Sequence, residues 1–229
     1  MQMPSASAPR QLALALAHRE SFAREDFLAG PSNAAALAIL ERWPDWPGRM
    51  LALAGPAGSG KSHLAAIWAD RAGARLLSSR ALSEASLPGA LATGALVLED
   101  VRPGALDEAA LFHLLNLAGE EGAFILLTSR MPPVGWTVRL PDLASRLRAL
   151  PVTELGVPDD ALLRAVLIKL FADRQLAVDE SLVSYVVTRI ERSIAAARVA
   201  VATLDQASLG LQRPVNRALA AAVLRGFEA

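Results

Sequence analysis

Residues Gly55-Pro56-Ala57-Gly58-Ser59-Gly60-Lys61-Ser62 fit the pattern G-x-x-x-x-G-K-[ST], and no other stretch constrains the chain as much. An apolar run, Met50–Ala54, precedes them and a helical pattern over residues 63–72 follows, the strand-loop-helix setting in which such a loop cradles phosphate. Its glycines let successive backbone N–H groups converge on phosphate oxygens, and the helix start adds the positive end of its dipole. Lys61 would reach the β- and γ-phosphates, and the Ser62 hydroxyl would hold Mg²⁺. The bland alternative is a glycine-rich turn that binds nothing, but a chance match has odds of roughly one in a thousand. Lysine is scarce, with Lys61 and Lys169 the only two among 23 basic residues. A chain that writes its positive charge as arginine has placed a compact ammonium at the loop.

Around the loop, strand patterns at residues 50–54, 75–78, 95–98, 124–128 and 152–155 alternate with helical patterns at 62–72, 81–91 and 108–119. Short, almost wholly apolar strands separated by helices predict an α/β fold, a five-stranded parallel sheet covered on both faces. Ligands of such sheets bind at the carboxyl ends of the strands, where the loop sits. Upstream, a helical pattern over 34–43 is stopped by a Pro/Trp segment. After Gly156 the strand patterns cease, and helices are expected at 159–174, 179–190, 193–209 and 214–227, with Pro158, Asp179, Ser193 and Pro214 at the breaks. The expected organisation is an N-terminal segment (1–20), an α/β nucleotide-binding core (21–155) and a small helical lid (156–229).

Composition narrows the class. Hydrophobic residues make up 53% of the chain and aromatics 5%, an Ala- and Leu-rich balance that excludes disorder. Equal numbers of basic and acidic residues, 23 each, remove the electrostatic signature of a stand-alone DNA binder. The absence of cysteine fits a reducing cytoplasm, no apolar run reaches the length of about eighteen residues that spans a membrane, and residues 1–10 lack the pattern of a signal peptide. The expectation is a cytoplasmic protein. Near the start, Gln11-Leu12-Ala13-Leu14-Ala15-Leu16 would, if extended, point Leu12, Leu14 and Leu16 to one side with Gln11 at the rim. This is either a strand on the protein's own core or a docking peptide, and its place beyond a Pro/Ser/Ala-rich lead favours docking. It resembles the short peptides that enter the apolar pocket of the bacterial sliding clamp.

Candidate chemistry gathers at strand ends. Leu96-Val97-Leu98-Glu99-Asp100 places two acids where a hydrolytic nucleotide site needs them, to hold the metal's water shell and orient an attacking water. Paired acids also occur as nothing more than a solvated strand end. Thr128-Ser129-Arg130 ends the next strand, where a hydroxyl can meet the γ-phosphate or its water. Arg146 and Arg148 precede the last strand; a guanidinium reaching a phosphate across a subunit interface is worth factors of about 10³ to 10⁵ in hydrolysis, whereas most surface arginines do nothing of the kind. His18, His63 and His113 have no metal-ligand spacing and read as structural.

Taken together, the glycine loop, the Leu-Val-Leu-Glu-Asp strand, Leu-Leu-Thr-Ser with a following Pro-Pro, Asp-Leu-Ala-Ser-Arg and a helical lid resemble the AAA+ class, and in detail the nucleotide-binding part of the replication initiator DnaA, over residues 21–229. With no helix-turn-helix domain expected after the lid and a clamp-type peptide at the start, the chain is similar to the Hda (HdaA) family of DnaA-related regulators. That resemblance implies ADP or ATP with Mg²⁺ as cofactors and DnaA and the sliding clamp as partners, with self-association left open and no sequence-specific DNA contact. It implies nucleotide contacts from Phe27, Leu28, Gly55 to Ser62, His63 and Arg198, metal contacts from Ser62 and Glu99, and Glu99, Asp100 and Arg146 in hydrolysis, Arg146 acting in trans. Against the DnaA pattern, Glu99 replaces an aspartate, Arg130 replaces an acid, and Ala195 stands where initiators have an arginine. Arg198, one turn further on the same helix face, is placed to substitute. These departures imply binding with weak turnover. The competing expectations are a self-sufficient AAA+ ATPase of helicase-loader or clamp-loader type and, more remotely, a small-molecule kinase.

Overall fold

The computed structural model describes residues 22–224, so Gln11, Leu12, Leu14 and Leu16 lie outside the described residues. Five strands, β1 (Met50–Ala54), β2 (Arg75–Ser78), β3 (Ala95–Val101), β4 (Phe124–Ser129) and β5 (Val152–Glu154), form one parallel sheet in the order β2-β3-β4-β1-β5. The central strands β1 and β4 are the most apolar because both their faces are covered. The edge strands are short and more polar, which limits pairing with foreign strands.

Helices α1 (Ala34–Glu41) and α2 (Lys61–Ala72) cover one face; α3 (Leu87–Ala90), α4 (Glu108–Glu121) and α5 (Pro141–Ala149) cover the other. Strand alternation divides the two cores cleanly. Leu96, Leu98, Ile125 and Leu127 pack with Leu111, Leu114, Leu143 and Leu147, whereas Val97, Leu126, Leu51 and Leu53 pack with Leu37, Leu64 and Trp68.

The C-terminal bundle comprises α6 (Asp160–Asp173), α7 (Glu180–Val187), α8 (Ile194–Leu211) and α9 (Arg217–Val223) around its own apolar cluster, which includes Leu167, Phe171, Val186, Val201 and Leu204. Each of the four starts under a side-chain cap: Asp159 accepts from the Leu162 N–H at 2.8 Å, Asp179 from Leu182 at 2.8 Å, Ser193 from Ala196 at 3.0 Å and Asn216 from Leu219 at 2.9 Å. Caps of this kind are worth about 1 kcal/mol each. Helix α8 is long and apolar enough to cross a membrane, but Ala197, Ala200, Val201 and Leu204 are buried in the bundle and Arg198 and Asp205 interrupt its apolar surface.

Two elements depart from the sequence pattern. The helix expected over 81–91 is replaced by single 3₁₀ turns at Ser79–Ala81 and Glu84–Ser86 and the four-residue α3. Ser86 and Ser83 bond each other's backbone, and Pro88 and Gly89 are poor helix-interior residues. Strand β3 runs on through Glu99 and Asp100 to Val101 by means of a bulge against β4.

Candidate functional site

Three of the loop glycines have backbone angles that side chains resist: φ is 155° at Gly55, 70° at Gly58 and 102° at Gly60. Space forbids side chains at two of them as well. A Cβ on Gly55 would lie 2.6 Å from the Leu155 carbonyl oxygen, and one on Gly58 would lie 2.8 Å from the Ser193 Cβ. The loop is thus wedged between the end of β5 and the start of α8, and the Ile194 N–H donates to the Gly58 carbonyl at 2.8 Å. Gly60 begins α2 without a side-chain cap, so the helix presents uncapped N–H groups and its positive dipole end. The Lys61 ammonium donates to the Gly55 and Pro56 carbonyls, both at 2.7 Å. Burial lowers its pKa below the ordinary lysine value and the nearby Arg130 charge lowers it further, with Asp100 acting the other way. The Ser59 hydroxyl is buried without a partner among the described residues.

The loop forms one end of a cavity of about 620 Å³, the size that encloses a nucleotide-like ligand. Phe22, Phe27 and Leu28 wall it on one side, and Val166, Leu170, Ile194 and Val199 of the bundle on the other. Gly58 to His63, Ala195 and Arg198 line it too, so Phe27, Leu28, His63 and Arg198 meet the loop in one space. Pro56 and Ala57 sit at the loop's exposed edge. A Cβ on Gly58 would also lie 3.0 Å from the Ala195 Cβ, while the Arg198 guanidinium one turn on stacks 5.4 Å from the Phe22 ring centre. His63 braces the wall: its Nε2 donates to the Ala23 carbonyl at 3.1 Å, and its ring meets Phe22 and Phe27 edge-on at 5.3 and 5.2 Å. Burial pushes its pKa down, favouring the neutral ring.

Beside the loop, the β3 bulge turns Asp100 into a left-handed backbone, φ 52°, a conformation of order 1–3 kcal/mol uphill. Three bonds hold it there. Its N–H donates to the Thr128 hydroxyl at 2.9 Å, its carbonyl accepts from the Ser79 hydroxyl at 2.8 Å, and its carboxylate pairs with Arg102 at 2.5 Å. The Thr128 hydroxyl accepts from the bulge and so keeps its own O–H to donate, whereas the Ser129 hydroxyl donates to the Met131 carbonyl at 2.7 Å and is taken up locally. Asp100 is the acid whose charge acts on Lys61, while Glu99 stands in register with Ser78 of β2.

Arg146 is exposed on α5 over the Phe112 ring at 5.5 Å, outside the lining of this cavity. Sequence reasoning missed a cluster at the cavity's far wall. Lys169 of α6 bonds Asp26 at 2.7 Å and Asp173 at 2.9 Å, tying the 3₁₀ turn Arg24–Asp26 to the bundle. The available signal was scarcity, since both lysines of the chain face the same cavity.

No family model and no curated protein sequence matches the chain. Its fold is similar to that of domain III of the replication initiation protein DnaA from Thermotoga maritima, with a TM-score of 0.74 at 21% identity over 90% of this chain and 96% of that one. It is similar to DnaA from Aquifex aeolicus bound to AMPPCP, with a TM-score of 0.64 at 19% identity over 82% of this chain and 67% of that one. RuvB from Thermotoga maritima, a Holliday junction branch migration motor, gives a TM-score of 0.72 at 16% identity over 90% of this chain and 72% of that one. At these identities the likeness is one of fold, the arrangement of sheet and helices shared with DnaA domain III and RuvB.

Proposed function

We propose that the chain binds an adenine nucleotide between the loop and the helical bundle and acts as a regulator of the initiator DnaA rather than as a motor. The observation that carries this reading is the separation of parts. The cavity has the loop, the apolar walls and Arg198, whereas Arg146 stands exposed on α5 away from it and is free to serve a phosphate on another molecule. The nucleotide fits what is present: two glycines with no space for a Cβ, an uncapped helix start and a buried Ser59 hydroxyl in want of a partner. Gly55 to Ser62 would hold its phosphates, Phe27, Leu28 and His63 would wall it, and Arg198 would contact it from the bundle. Mg²⁺ would arrive with the phosphates and take oxygen from Ser62 and Glu99, since this ion keeps most of its waters and needs few protein ligands. Bound nucleotide would supply charge neutralisation and a brace between the two halves of the fold.

In this reading Gln11, Leu12, Leu14 and Leu16 dock on the sliding clamp, Arg146 reaches ATP held by DnaA, and over-initiation of replication is prevented. The protein's own turnover is weak in this reading, as Glu99, Arg130 and Ala195 imply, and Asp100 is paired with Arg102. The test is ATP hydrolysis by DnaA with DNA-loaded clamp, comparing the wild-type chain with Arg146→Ala and Gln11→Ala. Strong stimulation lost in both variants supports the proposal, and equal stimulation by all three removes it.

A self-sufficient ATPase is the second reading, favoured by the likeness to the RuvB motor, whose TM-score of 0.72 is close to that of DnaA domain III at 0.74. Brisk hydrolysis by the purified chain without partners would establish it in place of the regulator.

A further inference from the structure

A second cavity, of about 470 Å³, lies between α1, α2 and residues 22–24. The buried side chains of Leu37 and Leu40 from α1 and of Leu64 and Trp68 from α2 make its floor, and Ala66 and Ile67 of α2 line it half-buried. Its rim is charged: Arg24 bridges to Glu41 at 2.6 Å, and Asp70 and Arg71 stand exposed. An apolar floor inside a charged rim is the make-up of a surface that receives an apolar segment. Trp68 adds a polar demand to it. Its Nε1–H is buried without an acceptor among the described residues, and a backbone carbonyl brought into the groove would supply one.

The candidate occupant follows from where the chain enters. Phe22, the first described residue, lines the groove and is 38% exposed. Residues 17–21 separate it from Leu12, Leu14 and Leu16, the large apolar side chains of the alternating run that starts at Gln11. At roughly 3.3–3.6 Å per extended residue, Leu16 lies within about 20 Å of Phe22 and Leu12 within about 35 Å, so the run can return to the groove. Laid there in extended form, it would turn its three leucines to the apolar floor and leave Gln11 at the charged rim. A segment tethered this closely is presented at a local concentration on the order of millimolar, and so it displaces an untethered apolar segment of equal intrinsic affinity that is present at lower concentration.

We infer that the groove between α1 and α2 is a docking surface for residues 11–16 of the same chain, occupied in cis when no partner holds that segment. The inference goes beyond the regulator reading and takes nothing from the nucleotide site. It meets that reading at one point. The segment proposed to dock on the sliding clamp cannot be in both places, so the groove covers the leucines in the free protein and the clamp must displace them.

The chain has no cysteine, so an engineered pair reports the contact cleanly. The test is the rate of intramolecular disulfide formation, at low protein concentration, in the full chain carrying Leu14→Cys and Ala66→Cys, with and without Leu12→Ser and Leu16→Ser. The disulfide is expected to form about tenfold faster with the two leucines than with the two serines, because the tether is the same and only apolar burial differs. Purified sliding clamp is expected to slow the reaction of the leucine form. Melting temperatures of the reduced variants equal to that of wild type would show that the fold is kept, and Ile67→Cys in place of Ala66→Cys gives a second pair if α2 is perturbed. Equal rates for leucine and serine forms show collision by tether alone and overturn the docking surface. A covalent dimer formed in preference to the intramolecular product overturns it too, by giving the groove to a second copy. A fast, leucine-dependent reaction that the clamp leaves unchanged upholds the cis contact but overturns the competition, and with it the clamp docking in the proposed function.

Discussion

Two lysines face one cavity in opposite company. Lys61 donates to two loop carbonyls, stands near the like charge of Arg130, and has its pKa lowered chiefly by burial. Lys169 is clasped by Asp26 and Asp173, and its pKa is raised chiefly by the hydrogen bond to Asp26. The first is a cation with no anion in contact among the described residues, as a phosphate site requires; the second is already neutralised and joins the turn Arg24–Asp26 to α6. Rarity in the sequence points to both, yet only their surroundings separate a ligand-binding charge from a structural one.

The largest expected break in that comparison is Lys61→Ala. It should weaken adenine nucleotide binding at least about a hundredfold, more than one ordinary charge-assisted bond, because the loop then loses its only lysine. Its melting temperature without nucleotide should hold or rise, since a partly buried cation has been removed, and calorimetric titration beside a thermal melt checks both. Next is Gly58→Ala, which imposes a side chain at φ 70° and 2.8 Å from the Ser193 Cβ. A destabilisation of about 1–3 kcal/mol is expected by chemical denaturation, with weaker nucleotide binding as α8 is pushed off the loop. Smaller again is the Asp26–Lys169 contact, whose side chains are about one quarter exposed. A double-mutant cycle of Asp26→Asn and Lys169→Met should give a coupling of about 1 kcal/mol or less and a nucleotide affinity reduced by only a few-fold.

The loop and the sheet were legible because each rests on a local rule. Gly55 to Ser62 is a fixed pattern, and the alternation of Leu96, Val97 and Leu98 between two cores is simply the strand period meeting two apolar faces. The helices of the bundle were legible for the same reason, since Asp179 and Ser193 mark two of their starts beside apolar runs; the last begins at Arg217 under Asn216, three residues beyond the start expected at Pro214. What could not be read is set by pairings across the sheet. Thr128 belongs to Asp100 only because β3 bulges beside β4, and Lys169 belongs to Asp26 only because α6 packs over a turn more than a hundred residues earlier in the chain. The stretch 81–91 misled because its apolar spacing suggests a helix while Ser83, Ser86, Pro88 and Gly89 each offer the backbone something else.

The smallest expected effect, and the finest division between the two lysines, is their response to alkali. An unperturbed lysine titrates near about 10.4. Because Lys61 has a lowered pKa when folded, the unfolded chain binds the proton more strongly, and its contribution to stability rises as pH climbs through the window between the folded and unfolded values. Lys169 has a raised folded pKa, so its contribution is fully present below the unfolded value and is lost as pH rises through the folded one. Nucleotide affinity, which needs the Lys61 proton, should therefore begin to fall at a pH where the Lys169 contact is still whole. Titrations paired with denaturant melts between about pH 8 and 11 should show affinity lost first and stability later, within the range where lysines titrate. In Lys169→Met the later loss should flatten while the affinity curve keeps its position, and a common midpoint for both curves would show that the two lysines do not have the separate roles argued for them.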